Sequence, residues 1–224
     1  MDRYIKILLI FVIFIILYLV DNKIIESYSN LDKEEVYEYK NFLTNEECDM
    51  LINIAKNKLE ESRVYSITED KVDKKHRDSQ QCWIKDDESV IAKKISDFVS
   101  KLVDFPVENN EMLQIVKYNK GGFFNPHYDP LCVGKKEECL SINGESGPRY
   151  CTFIIYLNDD FDGGETCFIK KNKCLKPEKG KAVLFFNTDD DENFLLNSEH
   201  AGKPVTKGEK WICNKWVHFR KYTP

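Results

Sequence analysis

Basic residues nowhere collect into a stripe in this 224-residue chain, whose 33 Lys and Arg are interleaved with 38 Asp and Glu for a formal net charge of -5. That excludes a nucleic-acid surface, which needs clustered positive charge. No C-x-x-C pair occurs, so the common structural zinc spacing is missing. The glycines are unaccompanied by any Walker or dinucleotide pattern, and Gly121, Gly122, Gly163 and Gly164 read as turn residues instead. No N-x-[ST] sequon is present, so glycosylation offers no independent sign of export. Histidine is scarce too, and any imidazole chemistry must come from His76, His127, His200 and His218.

What is present begins with an apolar run, Ile7 to Val20, behind Arg3 and Lys6. It is at the short end for a spanning helix, which takes roughly 17 to 25 residues, and it also suits a signal-peptide core. Small residues of the A-x-A kind do not follow it, since Asp21, Asn22, Lys23 and Ile24 come next. Residues 1–22 therefore read as an uncleaved signal anchor. By the positive-inside rule the short end stays cytoplasmic and the remainder is translocated, giving a single-pass type II protein of the endoplasmic reticulum membrane. A cleaved signal, leaving a lumenal or secreted chain, is the alternative. Eight cysteines fit either compartment. Cys132 with Cys139 and Cys167 with Cys174 are close enough to clamp loops, whereas Cys151 and Cys213 lie in apolar runs as buried thiols.

Residues 23–38 are polar and without period, as in a stalk, and residues 39–224 form the expected folded domain. At 42% hydrophobic and 32% charged, the chain has the composition of one compact globular unit. "TNEECDMLINIAKNKLEES" predicts a helix with Thr44 as N-cap, Glu47 completing a capping box, and Cys48, Leu51, Ile52, Ala55 and Leu59 on one face. A second helix is predicted over Val90 to Val103, ending before Pro106. From Met112 the pattern changes to short β-branched and aromatic runs, "MLQIVKY", "CTFIIYL", "ETCFI", "AVLFF" and "WICNKWVHF". Helices packed outside a β sandwich or barrel follow, an α+β arrangement. The acidic run Asp189 to Glu192 reads as a solvated loop, because it lacks EF-hand spacing.

On a strand, residues two apart share a side, so His127 and Asp129 present an imidazole and a carboxylate to one point. A third ligand must come from elsewhere. His76 sits in "DKKHRD", a solvated setting, and His218 lies in a strand near the C-terminus, where a half-buried structural role fits better. His200 stands before a hairpin predicted to turn near Lys207 and Gly208. Two histidines and one carboxylate are the donor set of non-heme Fe(II) oxygenases. They also suit a zinc hydrolase.

"YNKGGFFNPHYD", "RYCTFIIYLND", "GGET" and "HAGKPVTKGEKWICNKW", in this order, resemble the catalytic domain of prolyl 4-hydroxylases from about residue 38 to the C-terminus. The resemblance implies a double-stranded β-helix (jelly-roll) core with flanking N-terminal helices. It implies iron ligation by His127, Asp129 and His200, and pairing of Lys210, ten residues after His200, with the distal carboxylate of 2-oxoglutarate. A carboxylate inside a barrel needs such a charged partner. Lys210, Ile212, Asn214 and Trp216 share strand parity and so one face. Tyr118 and Thr152 match residues whose hydroxyls hold the same co-substrate, and Trp216 matches an aromatic near the peptide groove. Phe124 departs from the tyrosine of many relatives three residues before the first ligand, which bears on peptide preference.

The implied activity is a procollagen-proline 4-dioxygenase-like oxidation. Fe(II), 2-oxoglutarate and O2 are consumed or bound, ascorbate serves as reductant, and a proline-containing peptide, collagen-like sequences included, is the substrate. A partner subunit is not indicated. The alternatives are a related oxygenase acting on another side chain and a non-catalytic peptide-binding module of the same fold. Lysyl hydroxylases and nucleobase demethylases generally have arginine where Lys210 stands. A zinc hydrolase leaves Lys210, Tyr118 and Thr152 unexplained.

Overall fold

The computed structural model describes residues 31–65, 70–133 and 136–223. The apolar N-terminal run lies outside them, and among the described residues no helix is long and apolar enough to cross a membrane. In chain order the first strands are β1 (Val36–Tyr39), β2 (Glu60–Glu61), β3 (Val64–Tyr65), β4 (Asp70–Lys71), β5 (Arg77–Asp78) and β6 (Gln80–Ile84). Next come β7 (Leu113–Tyr118), β8 (Phe123–His127), β9 (Arg149–Tyr156), β10 (Asp162–Gly163) and β11 (Thr166–Phe168). The last are β12 (Lys173–Leu175), β13 (Ala182–Phe186), β14 (His200–Gly202), β15 (Val205–Lys207) and β16 (Lys210–His218). Helices α1 (Asn45–Ala55) and α2 (Val90–Val103) precede β7, and α3 (Lys136–Asn143) precedes β9.

A seven-stranded sheet, β1-β13-β9-β16-β7-β6-β2, faces a five-stranded one, β12-β11-β14-β8-β5. Period-2 alternation assigns each residue of the large sheet to one of two cores. Phe153, Ile155, Cys213 and Val217 point outward and meet Leu51, Ile91, Ile95 and Val99 of α1 and α2. Ile154, Tyr156, Ile212 and Phe185 point inward and pack on Phe168, Leu175 and Val205. The result is the helix-flanked sandwich expected of a jelly-roll, with its polar site on the inward face.

The capping box is present, with Thr44 and Glu47 each accepting from the other's backbone N–H. Helix α1 is shorter than the sequence pattern predicts, because it stops at Ala55 and Leu59 lies beyond it. Lys58 turns back onto the Ala55 carbonyl at 2.8 Å, and pairing of Glu60–Glu61 with β6 then claims the chain. The expected stalk also ends sooner, since Val36–Tyr39 alternates like a strand and pairs with β13. Buried Lys181 binds Glu38 across this junction at 3.1 Å. Glu192 is not solvated as expected of its acidic run: it is buried against Arg220, at 2.9 and 3.0 Å, and Lys136, at 2.8 Å.

Disulfides join Cys132 to Cys139 and Cys167 to Cys174, the latter directly opposed on β11 and β12. Cys48, Cys82, Cys151 and Cys213 are free and buried.

Candidate active site

His127 closes β8, and Asp129 lies past its end in the bend two residues on, so the two do not share a strand face as the sequence pattern predicts. Antiparallel pairing of β14 with β8 sets His200 directly opposite His127, which supplies the third donor. Nε2 of His127 lies 3.8 Å from Asp129 Oδ1, and Nε2 of His200 lies 3.9 Å from the same atom. All three donor atoms fall within 4.8 Å of one another. Each imidazole donates its Nδ1–H to the carbonyl two residues earlier, His127 to Asn125 at 2.8 Å and His200 to Ser198 at 2.9 Å. That hydrogen bond fixes the tautomer and leaves the Nε2 lone pair facing the shared point. Burial, with the charge of His200, pushes the His127 imidazole down to about 3, so it is a neutral ligand near pH 7. Burial alone would raise the Asp129 carboxyl, but His200, His127 and Arg149 outweigh it and hold it at about 2. Two imidazole nitrogens and one carboxylate oxygen, the set found here, suit Fe(II) with open positions left over.

Behind Asp129 is a network that the sequence did not reveal. The Thr152 hydroxyl donates to Asp129 Oδ2 and accepts from Asn187 Nδ2 at 2.9 Å. Arg149 donates to the Asp129 main-chain carbonyl at 3.2 Å and grips Glu111 with two bonds of 2.5 and 3.0 Å. His218 bonds the same Glu111 at 2.8 Å through Nε2 and the Gly147 carbonyl at 2.9 Å through Nδ1, a structural role as expected. Arg149 also stacks 3.8 Å from the Trp216 ring centroid. An isolated Glu111 and Arg149 at the starts of apolar strand runs were the available signal, because buried charges occur in pairs. His76 instead bonds Asp73 on the surface, at 2.9 Å.

The three donors line one pocket with Tyr118, Phe124, Thr152, Lys210, Ile212, Asn214 and Trp216. Every residue that the family resemblance assigns to the site therefore meets here, including Lys210, Ile212, Asn214 and Trp216 of β16. Lys210 is 2% exposed, and its ammonium donates to the Gly164 carbonyl at 2.7 Å. It has no carboxylate partner among the described residues, and burial pulls it down to about 7. Gly164 has φ +69°, and a Cβ there would press on Phe161 and the Lys210 side chain, so glycine lets the loop approach. The Tyr118 hydroxyl faces Arg77 and Ser79, and burial raises its pKa. Asn214 donates to Gln114, and Gln114 to Gln81, at 3.0 and 2.8 Å. Asn214 Oδ1 and Trp216 Nε1 remain buried without partners, an acceptor and a donor waiting in the cavity wall. Such orphaned atoms are expected where a polar ligand belongs.

Residues 113–218 match the 2OG-Fe(II) oxygenase superfamily. Prolyl 4-hydroxylase 5 of Arabidopsis thaliana is 38% identical over 208 residues, covering 82% of this chain and 68% of its own. The chain belongs to the prolyl 4-hydroxylase family. An Acanthamoeba polyphaga mimivirus protein bearing a prolyl 4-hydroxylase designation is 35% identical to this family member, over 88% of this chain and 80% of its own. The prolyl 4-hydroxylase fold is also seen in the 2OG complex of a viral collagen prolyl hydroxylase from Paramecium Bursaria Chlorella virus-1. That structure has a TM-score of 0.65 and 26% identity, covering 82% of this chain and 95% of its own. As a prolyl 4-hydroxylase relative, the chain is an enzyme of the superfamily that uses Fe(II), 2-oxoglutarate and O2.

Proposed function

We propose that this chain hydroxylates peptidyl proline at C4, in a proline-rich or collagen-like polypeptide, with His127, Asp129 and His200 holding Fe(II). The observation that carries the reading is the pairing, in one cavity, of this donor cluster with the buried and carboxylate-free ammonium of Lys210. A dicarboxylic co-substrate fits both requirements, one end at the metal and the other at the cation. Iron held by these three residues would supply, with 2-oxoglutarate and O2, the oxidising chemistry, in which decarboxylation of the co-substrate is coupled to oxygen insertion at a C–H bond.

The chain's own residues bind, orient and exclude water. Lys210 pairs with the distal carboxylate, and Tyr118 supports it from the facing strand, where the two are cross-strand partners on β16 and β7. Thr152 orients Asp129 while lining the co-substrate cavity. Trp216 and Phe124 line both this cavity and the adjoining groove of Arg63, Asn125, Tyr128 and Arg149, which suits an extended peptide. Trp216 Nε1–H donates to a peptide carbonyl, an acceptor that a prolyl chain always offers.

Ascorbate would serve as the reductant for an iron held by His127, Asp129 and His200. The domain is lumenal, behind a signal anchor of residues 1–22, a reading supported by the apolar run, by Arg3 and Lys6 before it, and by two disulfides. Protease protection of microsomes checks the topology: a cytoplasmically digestible domain overturns it.

The test of the activity is incubation with Fe(II), 2-oxoglutarate and ascorbate against proline-rich and collagen-like peptides, followed by fragment-ion mass spectrometry. A one-oxygen gain on proline that His127→Ala abolishes is expected. Iron-dependent succinate formation without proline oxidation would move the substrate to another side chain. Neither signal, from a folded and metal-loaded protein, would overturn the reading.

A further inference from the structure

The two histidine ligands are restrained unequally. The His200 side chain is 6% exposed and wedged between Phe185 and Phe168, with ring centroids 4.8 and 5.9 Å away. His127 is the more open ligand, its side chain 19% exposed. Its bond to the Asn125 carbonyl anchors one atom and the tilted His200 ring lies 4.2 Å away, contacts that leave the plane of the imidazole to be set. A second restraint is needed to hold Nε2 on the metal point.

Phe124 provides it. Its ring stacks on the His127 imidazole at 3.5 Å between centroids and 14° between planes. The Arg77 guanidinium lies 4.7 Å from the Phe124 centroid. Arg77 and Phe124 are cross-strand partners on β5 and β8, and the partner of Phe124 on β14 is Gly202, which contributes no side chain to crowd the ring. Arg77 is itself anchored, donating to Ser79 Oγ at 2.9 Å and to the Arg63 carbonyl at 3.4 Å, while Ser79 bonds Ser62 at 2.8 Å.

We propose that Phe124, stacked on His127 and backed by Arg77, is a positioning residue that fixes the imidazole plane for metal binding. The proposal rests on the metal-site reading above. It gives the phenylalanine at this position a task that needs an aromatic face and no hydroxyl. Groups that orient a metal ligand typically carry a 10- to 100-fold share of metal affinity.

The test is Co(II) titration of the full chain, followed by calorimetry and by the visible ligand-field band, which reports donor geometry independently of turnover. Phe124→Leu is expected to weaken Co(II) binding by about 10- to 100-fold and to shift the band. Phe124→Tyr, which keeps the ring, is expected to stay within about threefold of the parent. Phe124→Met, flexible and space-filling without a ring, replaces the leucine variant if that one does not fold. A folded Leu or Met variant with parental affinity and spectrum overturns the proposal, as does equal weakening by the Tyr variant. Parental protein that binds Co(II) no better than His127→Ala overturns the metal site, and this proposal with it.

Discussion

The Thr152 hydroxyl donates to the Asp129 carboxylate, so a strand of the large sheet steers a ligand carried by the bend after β8. Thr152→Val keeps the shape and deletes the hydroxyl, leaving Asp129 Oδ2 and Asn187 Nδ2 each without a partner. Metal affinity should fall by about 10- to 100-fold. Stability should fall by about 1 to 3 kcal/mol. Thr152→Ser should preserve both, and calorimetric metal titration with a denaturant melt checks the pair. An unchanged metal affinity with a raised KM for 2-oxoglutarate would assign the hydroxyl to the co-substrate alone.

Lys210 sets a pH dependence. Its ammonium is held at about 7 by burial, below the ordinary lysine value of 10.5. A bound dicarboxylate favours the charged form, so binding raises this pKa and takes up a proton above pH 7. Affinity for 2-oxoglutarate should therefore fall by about tenfold per pH unit above about 7, before any other group intervenes. Calorimetry at pH 8 in two buffers of different ionisation enthalpy should reveal proton uptake. Lys210→Met should bind at least about 100-fold more weakly and show no uptake from this group.

Glu111 is buried between Arg149 and His218, and removing it strands a buried guanidinium. Glu111→Ala should cost about 3 to 5 kcal/mol in a denaturant titration. Burial alone would raise the Glu111 carboxyl, but Arg149 and His218 hold it below its ordinary 4.5. A lowered carboxylate contributes stability that is fully present above its unfolded value and is lost as the pH drops through the folded one. Acid unfolding should therefore be shallower in Glu111→Gln than in the parent below about pH 4.5.

The Cys132–Cys139 bridge closes a short loop immediately after Asp129. Its loss in Cys132→Ser/Cys139→Ser should lower stability by about 2 to 3 kcal/mol through release of unfolded-chain entropy. Iron affinity should drop by less than in Thr152→Val, because β8, Thr152 and Arg149 still hold the ligand. Parallel metal titrations of the two variants check the order.

Features with a local cause were legible in the sequence. The capping box of Thr44 and Glu47, the helix over Val90–Val103 and the strand parity of Lys210 to Trp216 all follow from local spacing and from periods of 3.6 and 2 along the chain. Both disulfides join cysteines seven residues apart, a reach that is also local. The end of α1 at Ala55, the strand at Val36–Tyr39 and the burial of Glu192 were not, because each is decided by a partner distant in sequence: β6, β13 and Arg220.

The active site divides in the same way. Its donor types and their spacing belong to the sequence, and the motifs identify the family. Only tertiary pairing sets His200 across from His127, ties Thr152 to Asp129, seats Arg149 between Glu111 and Trp216, and lays Phe124 between Arg77 and His127. A residue's period decides which way it faces, but which residue it faces depends on register between strands that the chain joins only after long excursions.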